Sequence, residues 1–395
     1  MKWILFRDFS YSPGVNMTRD LGALTTGLRE IGEDADYCLL DSGKAVEESY
    51  VKTITQAQAL DSDWWKQSKA DCVVMMGGGR KLLPYYRAIK GAGKRLFLRM
   101  DTDGIFSPRQ FWKKHWRGKV IYYTDRISDK HPRLSLPFGY CLGTLHTVCN
   151  RLQNRSFDFS ILNGFAFADR LMIESPLALE RFQSFAMQRP DLSVFQKARV
   201  VHPAVCCGNI GAVDKENLIL SVGTWWRNQK NANVLLQALS GALARNSEFH
   251  ALIAGPASAR LSGLLSRFPT DVRQRISLRD NMSRAEVDAL YARAKILFLA
   301  SRGEGFPNVA AEASCYGCSV VGWKDIAAFH FFESIGYGTT AEVCSTSAFV
   351  SAICKEIDLW KSGQRNHGAA AGNFRKLFLA RNVAESTKHL LQELL

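Results

Sequence analysis

No stretch of the 395 residues approaches the roughly 18 to 20 uninterrupted apolar residues of a membrane-spanning helix, so no helical anchor is expected. The opening residues, Met1-Lys-Trp-Ile-Leu-Phe-Arg-Asp8, place only four apolar side chains together before charge returns, which suits a buried first strand and not a secretory leader. Internal repeats and low-complexity tracts are also missing, which sets aside solenoids and disordered linkers. There are ten cysteines but no zinc-site spacing. Cys206-Cys207 are adjacent without His or Cys partners, and Cys315-x-x-Cys318 straddles an expected helix stop at Gly317; the others lie mostly in apolar runs and read as small, reduced hydrophobes. Gly77-Gly-Gly79-Arg80 closes a strand-like run without a P-loop pattern after it.

What is present is ordinary for a globular protein: 47% apolar and 22% charged residues. The length exceeds what one core usually organises, so two domains are expected. The net charge of +14 asks for an anionic partner, yet no helix-turn-helix, zinc finger or RNA-binding signature accompanies it, so nucleic acid is not expected. The densest basic stretch, Arg109 to Lys119, combines Arg109, Lys113, Lys114, Arg117 and Lys119 with three aromatics and no acid. On a helix it forms a basic, Trp-bearing face suited to peripheral contact with an anionic membrane.

The first half alternates strands and helices. Lys2–Phe6 reads as a strand, the loop with Ser12-Pro13-Gly14 follows, Met17–Ile31 has helical apolar spacing, and Tyr37–Leu40 returns as a strand, the opening of a doubly wound sheet. Cys72–Met76 and Arg95–Met100 add strands, the second ending in Asp101-Thr-Asp103, where either acid could orient or deprotonate a hydroxyl. Ser175 and Pro176 read as helix cap and first helical residue, and His202 as a satisfied buried histidine before a linker.

The second half is organised around Ser301-Arg-Gly-Glu-Gly-Phe-Pro-Asn-Val-Ala-Ala-Glu-Ala-Ser-Cys-Tyr-Gly317, flanked by the apolar runs Ile296–Ala300 and Ser319–Trp323. The pattern is strand, loop, short helix from Pro307 or Asn308, glycine stop, strand. Glu304 falls in the loop and Glu312 inside the helix, so both can face one crevice, with the amides of Gly305 and Phe306 free to approach a ligand. Carboxylates that accept and amides that donate suit a hydroxyl-rich ligand. Upstream, Leu218–Val222 ends at Gly223, and Arg227 and Lys230 precede a helix N-terminus, a place where a diphosphate would be stabilised.

The run from Ser301 to Gly317 resembles the Glu-seven-residues-Glu signature of the family 4-like, retaining, nucleotide-sugar-dependent glycosyltransferases (glycosyl transferases group 1), which have the GT-B fold. The resemblance is specific from about Leu218 to Trp323 and topological before that. It implies an α/β protein of two Rossmann-like, doubly wound domains facing a central cleft: residues 1–205 for the acceptor, a linker over 206–216, 217–375 for the nucleotide sugar, and a terminal helix over 376–395 returning to the first domain. It also implies transfer of a hexose-type sugar to a glycan or lipid-linked acceptor, with retention and without a metal or other cofactor. Lys230 and Arg227 would hold the diphosphate, Glu312 the ribose hydroxyls, Glu304 with Gly305 and Phe306 the transferred sugar, and Gly14 would lie at the cleft. Thr224 stands where the family carries an Arg. A catalytically degenerate sugar-nucleotide-binding or scaffold subunit, or a GT-B phosphorylase or epimerase, is the alternative. A cytoplasmic location, with contact to a membrane surface, is the expectation.

Overall fold

The computed structural model describes residues 1–10, 17–18, 20–41, 48–78, 80–107, 110, 112–128, 134–152, 156–208, 213–256 and 258–395. The Gly14 and Arg109 assignments lie outside the described residues. The chain forms two compact units: residues 1–110, 150–206 and 376–395 make the first, and residues 111–149 and 207–375 the second.

The first unit is built on seven parallel strands, β1 (Lys2–Ser10), β2 (Asp34–Leu40), β3 (Val51–Ile54), β4 (Cys72–Met76), β5 (Arg95–Met100), β6 (Arg170–Ile173) and β7 (Ala198–Val200). Their order is β3-β2-β1-β4-β5-β6-β7. Cys72-Val-Val-Met-Met76 is buried almost throughout, as expected of a central parallel strand covered on both faces. Trp3, Leu5, Leu24, Tyr37, Phe97 and Met172 share one core with Val383 and Leu391 from the chain's end.

That end does not form one continuous helix. Leu379 adopts extended backbone between the helices His367–Phe378 and Ala380–Gln392. The break lets the backbone of Phe378 and Ala380 bridge Val205 on both sides, with N···O distances of 2.9 and 3.0 Å. The last helix then lies against the helix Asp20–Glu30 so closely that a Cβ on Gly27 would stand 2.1 Å from the Ala380 carbonyl oxygen. Only glycine fits there.

In the same unit Arg99 is buried. It donates to Asp20 and Glu174 at 3.2 Å each and to the carbonyls of Val201 and His202. His202 Nδ1 lies 2.9 Å from the Glu174 carbonyl, and burial drives its pKa down to about 4. It is the satisfied structural histidine that its position before the linker suggested.

The second unit carries a six-stranded parallel sheet of β8 (Glu216–Val222), β9 (His250–Ala254), β10 (Ile276–Arg279), β11 (Ala294–Phe298), β12 (Ser319–Trp323) and β13 (Gly338–Ala341), ordered β10-β9-β8-β11-β12-β13. The chain therefore winds outward in one direction from β8 and then returns to continue on its other side with β11. The loops leaving the carboxyl ends of these two neighbours part from each other, which is where open α/β sheets bind ligands. Ser319–Trp323 is buried along its length, and Gly317 takes a φ of +81° to end the preceding helix.

A pair of helices, Trp112–Ser128 and Ser135–Leu152, lies within the stretch expected for the first domain, yet its residues through Cys149 belong to the second unit. Lys114 donates to the Asp325 backbone carbonyl and lies 3.3 Å from its carboxylate, Arg117 lies 3.7 Å from the same carboxylate, and Arg117 also covers the Trp323 ring at 4.5 Å. The basic helix thus uses Lys114 and Arg117 inward, and Lys119 is half-buried, its pKa lowered by that burial. Of the five cations assigned to a membrane surface, Lys113 is the exposed one among the described residues. The acid that captures Lys114 and Arg117 is more than 200 residues away in sequence, so charge counting along a short window could not anticipate it.

Candidate active site

The loops after β8 and β11 are sewn together at the sheet's switch point. Arg302 N–H donates to the Gln229 carbonyl at 2.9 Å, and Gln229 Nε2 donates to the Gly303 carbonyl at 2.6 Å. Asn231, in a left-handed conformation at the start of the helix Ala232–Arg245, donates to the Ala300 carbonyl at 3.2 Å and accepts from Arg302 at 3.0 Å. These contacts fix the two side chains that matter most chemically. Lys230 Nζ lies 2.5 Å from Glu304 Oε1, and Gln229 Nε2 donates to Oε2 at 3.1 Å. Both partners are largely withdrawn from solvent, with side chains 15% and 10% exposed, so the attraction between them is little screened.

Arg227 is exposed and leans over the Trp226 ring at 5.1 Å. Trp225 next to it is buried and donates to the Ala254 carbonyl at 2.9 Å, which anchors the loop between β8 and β9. Thr224, at the position of the family's Arg, offers its carbonyl to the Arg227 N–H at 3.3 Å. Asp125, from the basic helix, accepts the Asn228 backbone N–H at 2.7 Å; burial raises its pKa, and this hydrogen bond opposes the rise. Sequence reasoning missed Asp125 and Gln229, since neither lies in a recognisable pattern.

Glu312 occupies the helix Asn308–Cys315 as expected, but it does not meet Glu304 in an open crevice. Its side chain is fully buried, 2.7 Å from Arg284 Nη1 and 3.0 Å from the Tyr291 hydroxyl that donates to it. Arg284 is held in turn 2.9 Å from Asp288. Glu312 is therefore the inner end of a charge network whose outer member, Arg284, is one quarter exposed. The Phe306 ring packs against Phe331 and Phe332 at 6.2 and 5.8 Å, so only its backbone is available to a ligand; Gly305 beside it is half-exposed. Asp101 and Asp103 lie in the first unit, where Asp103 Oδ1 accepts the Ile105 N–H at 3.3 Å. Among the described residues no group of three His, Cys, Asp or Glu side chains is placed to hold a metal ion.

A cavity of about 420 Å³ opens beside these loops in the same unit. Trp116 and Tyr140 from the helix pair, Asn231 and Arg302 from the two loops, and Trp323 and Cys344 line it.

Two doubly wound parallel sheets, joined by a chain that returns at its end to the first, define the GT-B class of glycosyltransferase fold. More particularly, residues 216–358, the core of the second unit, match the family of glycosyl transferases group 1. The solved structures agree on the fold. The apo form of the lipopolysaccharide outer core galactosyltransferase WaaB is similar with a TM-score of 0.62 at 15% identity, covering all of both chains. Anabaena Alr3699/HepE in complex with UDP gives 0.65 at 14% identity, again over all of both chains. Sucrose-phosphate synthase from Thermosynechococcus elongatus gives 0.61 at 13% identity, over 100% of this chain and 99% of that one. A comparison with curated protein sequences finds no match.

Proposed function

We propose that this chain is a retaining glycosyltransferase that moves a hexose-type sugar from a nucleotide diphosphate sugar to a glycan or lipid-linked acceptor without a metal ion. The observation that carries the reading is the Lys230–Glu304 pair, held at 2.5 Å where the loops of β8 and β11 diverge. A donor brings both a diphosphate and sugar hydroxyls, and these separate the pair: phosphate oxygens take the Lys230 ammonium, and hydroxyls donate to Glu304. As the bond to the leaving diphosphate breaks, negative charge builds on its oxygens. Lys230, at the N-terminal end of the helix Ala232–Arg245, is positioned in advance to stabilise it. Arg227, with its guanidinium exposed in the same loop, supplies the second charge that Thr224 cannot. Glu312 reaches the ribose by exchanging its contact with Arg284 for the ribose hydroxyls, and Asp101 or Asp103 serves the acceptor hydroxyl.

UDP and UDP-glucose are bound by HepE, which makes them the first probes here. Thermal stability is measured with UDP, GDP, ADP and their sugar conjugates, with and without a chelator. The expected result is stabilisation by one base that survives chelation and is lost in Lys230→Ala; a ligand at about a hundred times its Kd adds roughly 2.7 kcal/mol to the native state. No stabilisation by any of them would overturn the reading. Thr224 favours one second reading, a degenerate subunit that binds a sugar nucleotide without turning it over. Hydrolysis of the bound sugar nucleotide, abolished in Glu304→Ala, decides against it.

A further inference from the structure

The helix Ser135–Leu152 is amphipathic in the opposite sense to a helix of a water-exposed surface. Its inward face is made of small or polar residues at fourfold spacing, Gly139, Gly143 and Thr147, all buried. A Cβ on Gly139 would stand 2.0 Å from Thr124 Oγ1, and one on Gly143 would stand 2.7 Å from the Val120 Cα, so the helix backbone rests directly on the basic helix. Its outward face is the apolar one. Phe138, Leu142, Leu145 and Val148 are 52%, 38%, 60% and 47% exposed, and Cys141 and Cys149 are exposed beside them. These positions recur every three to four residues and form one continuous stripe. From Ser135 to Asn150 the helix has no Asp, Glu, Lys or Arg.

Small residues inside and large apolar residues outside is the packing found where the surroundings are hydrocarbon. No helix among the described residues is long and apolar enough to cross a membrane, so the element would lie in a bilayer surface. Charge selects the kind of surface. Between residues 112 and 152 the sequence holds many Lys and Arg but only Asp125 and Asp129 as acids. Asp125 is occupied by the Asn228 N–H, and Lys113 and Arg126 are exposed without a carboxylate partner among the described residues. We propose that this helix pair is a docking element for an anionic bilayer, in which the stripe Phe138-Leu142-Leu145 of the second helix enters the acyl boundary and exposed cations of the first meet lipid headgroups. The inserting face is then the uncharged helix and not the basic one.

The test uses the full chain and vesicles of phosphatidylcholine with or without phosphatidylglycerol. Cosedimentation is expected with the anionic vesicles, falling as salt rises. Leu145→Glu should weaken it at least about tenfold, since an apolar side chain of this size contributes about that much when buried. Lys113→Ala should weaken it about fivefold, the share of one basic residue at a charged surface. Leu145 is exposed, so its replacement leaves the core intact; an unchanged thermal midpoint verifies this. An environment-sensitive fluorophore on Cys141 and Cys149 supplies the second measurement: its emission should shift to the blue on adding anionic vesicles and be quenched by brominated acyl chains. Equal sedimentation of Leu145→Glu and the unaltered protein, or a label that stays in water, would overturn the proposal. So would a concentration-dependent dimer that Leu145→Glu dissociates while vesicles bind neither form, because the stripe would then cover a second copy of the chain.

Discussion

The Lys230–Glu304 pair makes opposite predictions for two substitutions within one contact. The Lys230 ammonium is held at 2.5 Å by the Glu304 carboxylate, with both side chains at least 85% covered. A nucleoside diphosphate without sugar must draw Lys230 away from Glu304 and leaves the carboxylate, among the described residues, with the Gln229 amide. A hydrogen bond to a charged group contributes roughly 1.5–3 kcal/mol, so Lys230→Ala should weaken UDP binding by roughly 10- to 150-fold. Glu304→Gln keeps the shape but removes the competing charge. UDP should then bind more tightly, by about fivefold to tenfold, or on the order of 1 kcal/mol. Turnover of the matching sugar nucleotide should nevertheless fall by roughly a hundredfold, because the transferred sugar loses its charged acceptor. Isothermal titration with UDP and a coupled assay of nucleotide release from the sugar nucleotide measure the two quantities. If Glu304→Gln weakens UDP as far as Lys230→Ala does, the pair does not compete with the diphosphate and the reasoning fails.

Further outcomes follow from the same structure. Arg284→Met takes the guanidinium away from the fully buried Glu312, and stability by denaturant unfolding should drop by about 3–5 kcal/mol, whereas Arg284→Met combined with Glu312→Gln should recover much of it. If Glu312 holds the ribose, UDP should bind better than its 2′,3′-dideoxy form, and Glu312→Gln should erase the difference. Gly27→Val drives a side chain into the Ala380 carbonyl and should cost at least about 1–3 kcal/mol in the same unfolding measurement, while Gly263→Val, where a Cβ meets nothing within 4 Å and the backbone is not left-handed, should cost less. For His202, the folded pKa of about 4 lies below the ordinary 6.5, so the unfolded chain binds the extra proton. Its contribution is complete above pH 6.5 and is lost as pH falls toward 4, on the order of 3 kcal/mol. Unfolding at pH 7 and pH 4.5 should show the loss, and His202→Gln should flatten it.

The elements legible in the sequence were those whose signal is local. Cys72–Met76 and Ser319–Trp323 are largely apolar runs and are strands with those bounds. The Ser175 cap with Pro176 needs only adjacent residues, and it is present. What escaped depends on distant partners. Glu312 could be placed on its helix, but not against Arg284, 28 residues earlier. The Asp125 carboxylate on Asn228 joins positions 103 apart. The helix Ser135–Leu152 escaped for another reason: its apolar spacing is regular, but periodicity cannot say which face turns outward. Cys141 and Cys149, expected inside with the other cysteines, are exposed for that reason. The single terminal helix over 376–395 was also read from spacing, and the extended backbone of Leu379 interrupts it to pair with Val205.

The closed Lys230–Glu304 contact gives the proposed cycle a direction. Free phosphate satisfies the lysine and strands the carboxylate, and a free sugar does the reverse. On the proposed reading, a ligand that joins the two would satisfy both groups at once, and the site would distinguish an intact donor from its fragments before any chemistry occurs. Once the sugar has left for the acceptor, Glu304 has lost its hydroxyl partners and stands next to the ammonium that still grips the diphosphate. On the proposed reading, re-forming the Lys230–Glu304 pair would help to displace that product, so one contact would serve both donor recognition and product release.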